Sequence, residues 1–185
     1  MSTSVAGVME KWIFENRLSP GDIVMLTAAI RDLHRAYPGR FLTDVRTSCP
    51  DLWENNPHLT RLEPSDPTVR TMLCHYPLIH RSNQAPYHFI HGFIEHLNEQ
   101  LGLRIRPTEF RGDIHLSEAE RLRPSPVQEQ LGRRCPYWIM AAGGKYDYTI
   151  KWWHRRRWQE VVDRLGGEVS FVQGGEGLHY HPKLR

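Results

Sequence analysis

The chain has only three cysteines, Cys49, Cys74 and Cys135, and no CxxC pair among them. An odd number without that spacing argues against a disulfide framework and a cysteine-built zinc site, and reads as reduced cytoplasmic thiols. No apolar run approaches the roughly 18 residues of a spanning helix. Residues 1–10 lack the basic start and apolar stretch of a secretory signal. Also missing are GxGxxG, Walker A, HExxH and GxSxG, the marks of dinucleotide oxidoreductases, P-loop NTPases, zincins and α/β-hydrolases. Charge of one sign is scarce too. A net charge of +3 from 24 Lys and Arg against 21 Asp and Glu is too balanced for a dedicated nucleic-acid binder, so no nucleic acid is expected as a partner.

What is present suits a packed α/β protein. Hydrophobic residues make up 39% of the 185, with 6 Trp, enough for a core. Trp12-Ile13-Phe14 reads as a buried strand, broken by Ser19-Pro20-Gly21. Ile23, Leu26, Ile30, Leu33 and Tyr37 then recur at steps of three and four, predicting a helix to about Ala36 that Pro38-Gly39 stops. Phe41 to Val45 would be the next strand, completing a βαβ unit with a parallel sheet. Asp51 to Glu54 reads as one helical turn, and Leu59 to Leu62 and Val69 to Cys74 as weaker strands. A long loop from His75 to Pro86 leads to a helix from about Tyr87 to Leu101, capped by Gly102.

Asp113 to Leu116 is a further strand candidate, followed by a capping-box start at Ser117. Three prolines and Gly132 make Arg123 to Pro136 a linker. Beyond it the pattern restarts: a strand over Tyr137 to Ala141, a loop with Gly143 and Gly144, a helix from about His154 to Leu165 and a strand over Val169 to Val172. The expected division is 1–132 for a first α/β domain and 133–185 for the opening βαβ part of a second. That partial domain, with exposed strand edges, is expected to dock on the first or to mediate self-association.

Three groups of residues suit chemistry. Asp22 sits in the strand-to-helix turn Ser19-Pro20-Gly21-Asp22, the position that faces the ligand crevice in open α/β sheets. There Gly21 allows close backbone approach, and Asp22 suits either a general base for a sugar hydroxyl or a helix cap paired with Ser19. Gly143 and Gly144 follow a strand, and Lys151 precedes the Arg155-Arg156-Arg157 helix start. Backbone N–H groups and cations there fit a diphosphate, or else form a solvated basic helix face. His75, His80, His88, His91 and His96 cluster among 11 histidines. No Glu or Cys completes a metal set around them, so His75 and His88 read as acceptor-cleft contacts or plain polar residues, and no metal is expected.

The segment Leu18 to Pro38, with its Gly21-Asp22 turn and closing Tyr37-Pro38, resembles the N-terminal signature of the ADP-heptose:lipopolysaccharide heptosyltransferase family. Asp51 to Leu59, Tyr137 to Gly144, Lys151-Trp152 and the Arg157-Trp158 helix are similar to it as well. The resemblance implies a GT-B architecture of two Rossmann-like domains, acceptor on the first and nucleotide-sugar donor on the second. It implies an inverting transfer of a sugar, a heptose in the family, to a glycan or lipid-linked acceptor at the inner membrane's cytoplasmic side, without a cofactor. By position Asp22 matches the family's catalytic base and Lys151 a lysine on the donor phosphates. The family's Asp-x-Gly-x-x-His segment would lie beyond Arg185, so a C-terminally truncated transferase is expected, the rival being a non-catalytic remnant or acceptor-binding module.

Overall fold

The computed structural model describes residues 9–76, 84–146 and 152–185, in two compact units, Met1–Arg121 and Leu122–Arg185. The segment 123–136, read as a linker, belongs to the second unit.

Unit 1 is built around β1 (Glu10–Asn16), whose Trp12, Ile13 and Phe14 are all buried. A strand covered on both faces has no polar side to show, hence a continuous apolar run rather than an alternating one. α1 (Pro20–Ala36) crosses to β2 (Phe41–Thr47), and a 3-10 turn (Pro50–Trp53) leads on to β3 (Val69–Leu73). Both outer strands pair with β1 in parallel, in the order β2-β1-β3. The chain thus moves from β1 to one side and returns to the other, which makes the β1/β3 boundary the topological switch point.

α2 (Phe89–Leu101) packs on α1, and Ile23, Leu26, Ile30 and Leu33 share a buried cluster with Phe14, Phe93 and Leu97. Gly102 ends α2 in the left-handed conformation at φ 63°, where a Cβ would be strained.

Two strand expectations are corrected. Leu59 to Leu62 makes only a bridge from Leu59 to Thr43, because the Asp44 carboxylate takes the Leu62 N–H at 2.9 Å in place of a ladder partner. Asp113 to Leu116 is not a strand either. The Asp113 N–H goes to Thr27 Oγ1 at 2.7 Å, and Asn56 and Asn55 reach the Asp113 and His115 carbonyls. Side chains satisfy this backbone, so no sheet partner is needed.

The segment after α2 is fastened across α1 by a buried ion pair. Arg31 Nε meets Asp32 Oδ1 at 3.0 Å with both side chains almost fully enclosed. Arg31 also donates to the Glu109 and Arg111 carbonyls, while Asp32 accepts from the Thr108 N–H and hydroxyl. Short helices α3 (Glu118–Leu122) and α4 (Pro126–Leu131) follow.

Unit 2 is a single parallel βαβ: β4 (Tyr137–Met140), α5 (Arg155–Leu165) and β5 (Ser170–Gln173). Its last residues fold back on it. Gly144 and Tyr180 exchange backbone hydrogen bonds of 2.9 and 3.1 Å, and Gln173 and Gln159 hold Pro182, Leu184 and Arg185. Among the described residues no helix is long and apolar enough to cross a membrane.

Candidate functional site

The carboxyl edge of the unit 1 sheet gathers the loops after β1 and β3. Asn16, wholly buried at the end of β1, ties them together: its Nδ2 donates to the Cys74 carbonyl at 3.0 Å, and its Oδ1 accepts the Leu18 N–H at 2.8 Å. The first loop therefore has a fixed height relative to the end of β3. Ser48 clamps the same loop from β2, donating its hydroxyl to the Leu18 carbonyl at 2.6 Å.

On this frame α1 begins, with Pro20 in its first turn and Asp22 two residues on. Pro20 suits the start because its missing N–H has no helical partner there and its fixed φ is helical. The Asp22 carboxylate is divided between two roles. Oδ2 accepts the Ser19 N–H at 3.1 Å, the capping contact, and Oδ1 accepts the Tyr76 hydroxyl at 2.9 Å. Tyr76 lies three residues past β3, so the pair spans the switch point. Gly21 is exposed, and a Cβ there would meet nothing within 4 Å. Steric freedom is thus not what this position needs from glycine.

Of the histidines, His75 is exposed, with its ring edge-on to His96 at 5.8 Å. His88 is the N-cap of α2 and forms a reciprocal box with His91. Its Nδ1 accepts the Ile90 N–H, and His91 Nδ1 accepts the His88 N–H, both at 3.2 Å. The i, i+3 spacing that a metal would also use here serves a helix start. His80 and Lys151 lie outside the described residues. No group of three or more metal-ligating side chains occurs among the described ones.

A separate histidine group joins α1, β2 and the Asp113 segment. Thr43 gives its hydroxyl hydrogen to the His58 carbonyl, so the 2.8 Å contact with His34 must have His34 Nε2 donating. His34 stacks on His58 at 5.0 Å, and His58 and His115 face the Asp113 carboxylate at 3.8 and 3.0 Å. Burial, helped by His58, pushes the His34 pKa down to about 4. Burial likewise lowers that of His58.

In unit 2, the Gly144 N–H donates to the Tyr180 carbonyl and is not left open. A Cβ on Gly143 would collide with that same carbonyl. These glycines let the returning segment approach β4. Arg155 and Arg156 at the start of α5 are engaged with the Lys183 carbonyl and Glu160, and Arg157 sits over Trp153.

The place of Asp22 was legible in the strand-to-helix turn, whereas Asn16 and Tyr76 were not picked out. A polar residue ending an apolar strand was the available sign for Asn16. For Tyr76, only its position just past a predicted strand pointed to the crevice.

No protein-family model matches the chain, and no curated protein matches it in sequence. In three dimensions it is similar to the crystal structure of the glycosyl transferase family 9 protein from Veillonella parvula, with a TM-score of 0.59 and 15% identity. The match covers 89% of this chain and 62% of that one, so the chain spans under two thirds of its length. At that identity the likeness is one of fold: mixed α/β with parallel, Rossmann-like sheets.

Proposed function

We propose that the chain is part of a sugar-transferring enzyme of GT-B type, with unit 1 holding the acceptor and unit 2 contributing to the nucleotide-sugar site. The observation that carries this reading is the Asp22 carboxylate at the switch point, oriented by Ser19 from one loop and Tyr76 from another. A carboxylate fixed at that crevice can take a proton from a hydroxyl presented to it as the hydroxyl attacks an anomeric carbon. The fold likeness to a glycosyl transferase family 9 protein supports the same class. Inversion, and heptose as the sugar, rest on the sequence resemblance around Gly21-Asp22.

His75 and His88, both exposed, serve the acceptor side as hydroxyl contacts, and the Gly21 backbone belongs to the same side. Lys151 neutralises the leaving diphosphate, where charge develops in the transition state. Gly143 and Gly144 shape that loop, since the Gly144 amide already serves Tyr180. Trp138 and Ile139, 53% and 70% exposed on a two-stranded sheet, favour self-association through unit 2. A lipid-linked acceptor would bring the protein to the inner membrane surface.

Titration calorimetry with ADP, UDP and GDP and their sugars, followed by a transfer assay with the donor that binds, tests the reading. Asp22→Asn should abolish transfer while leaving the protein folded and its donor affinity in place. Normal transfer by that variant would reduce Asp22 to a helix cap. Glycan binding without any nucleotide binding would make the chain an acceptor-binding module.

A further inference from the structure

The first turn of α2 carries a group of aromatic rings that the core does not use. Phe89 is 42% and Phe110 56% exposed, although each comes from a well-fastened segment. Phe110 rests against the rings of His88 and His91 at 5.4 and 5.0 Å, and Tyr87 lies edge-on to His91 at 6.3 Å. Its neighbours Glu109 and Arg111 are tied through their carbonyls to buried Arg31. The ring is therefore held outward by its backbone, against the cost of exposing apolar surface.

This group is continuous with the candidate base. Phe89 packs on Tyr76 at 5.5 Å, and Tyr76 donates to Asp22. The two histidines add polarity of a defined kind. Each uses Nδ1 to accept a backbone N–H, so in the neutral ring the hydrogen is on Nε2, leaving an N–H donor on each ring that packs against Phe110. Rigid aromatic faces edged by N–H donors and next to a carboxylate match one ligand chemistry well. A pyranose has an apolar face of C–H groups and a rim of hydroxyl oxygens.

We propose that Phe89 and Phe110, with His88 and His91, form a platform that stacks the acceptor's pyranose ring and presents a hydroxyl toward Asp22. The assignment of that ring as the acceptor rests on the transferase reading; the platform as a glycan site does not. A covering protein surface is the poorer fit, because the donors would then be buried with no partner assured.

Saturation-transfer NMR on the full chain, with the methyl pyranosides of glucose, galactose, mannose and N-acetylglucosamine as probes, tests this. At least one pyranoside should receive saturation on the C–H protons of one face. Phe110→Ala should weaken its affinity about tenfold, the size of effect one aromatic contact supplies. Phe110→Leu, which keeps apolar bulk but no ring, should lose affinity as well. Absence of saturation transfer to every pyranoside, or equal affinity in a folded Phe110→Ala protein, overturns the platform. The transferase reading fails separately, through absent nucleotide-sugar binding or normal transfer by Asp22→Asn.

Discussion

Asp22 and Tyr76 meet at 2.9 Å across 54 positions of sequence, one from the loop after β1 and the other from the loop after β3. Only the parallel β2-β1-β3 order brings those loops side by side. A carboxylate that caps its own helix through one oxygen and binds a distant tyrosine through the other is fixed in position and direction. Such fixing is what a base acting on a bound hydroxyl requires.

The coupling between these residues is measurable apart from any activity. A double-mutant cycle with Tyr76→Phe and Asp22→Asn, read by urea midpoint, should return a coupling of about 1 kcal/mol, the usual worth of a partly buried hydrogen bond. Strictly additive effects would mean that the hydroxyl does not hold the carboxylate in solution.

The Arg31–Asp32 pair should dominate the mutational sensitivity of unit 1. Asp32→Ala leaves an enclosed guanidinium without its counter-charge and frees the Thr108 segment, so it should cost about 3–5 kcal/mol. Arg35→Ala, on the exposed pair with Glu109, should cost under about 1 kcal/mol by the same denaturation measurement.

Stability should fall in mild acid. In the unfolded chain His34 takes up a proton near 6.5, the ordinary histidine value, but in the folded protein only near pH 4. Between those values the unfolded state binds more protons, so stability is lost as pH drops from 6.5 toward 4. His34 is only half-buried, and after discounting for solvent screening the loss is about 1–2 kcal/mol. His34→Gln keeps a donor for Thr43 and cannot titrate. Its stability, followed by urea denaturation across this range, should depend less on pH than that of the unsubstituted protein.

Gly143→Ala should release the C-terminal segment of unit 2, because the added methyl collides with the Tyr180 carbonyl that pairs with Gly144. Hydrogen exchange should then quicken at Gly144 and Tyr180, with β1, α1 and α2 unchanged. Protection at those amides equal to that of the unsubstituted chain would show that the segment is held elsewhere.

The long elements were legible because their signals are local. β1 and α1 follow from a continuous apolar run, a proline at the helix start and apolar steps of three and four. The strand expected over Asp113 to Leu116 failed because Thr27, Asn55 and Asn56, far away in sequence, supply its hydrogen bonds. Likewise the His88/His91 pair read as cleft contacts or a polar helix face, with a metal spacing disfavoured for want of a completing Glu or Cys. Only the direction of Nδ1 toward backbone N–H groups distinguished a cap.

By itself the sequence determined the α/β class, the strand-to-helix turn that carries Asp22, and the second βαβ start, since periodicity and turn residues act within a few positions of the chain. The tertiary structure decided what Asp22 touches, that Asn16 braces the two loops, that the Gly144 amide is spent on Tyr180, and that Phe89 and Phe110 face outward. Each of these depends on contacts between segments far apart in sequence. Chain order does not specify them until burial of the β1, α1 and α2 faces fixes the distances.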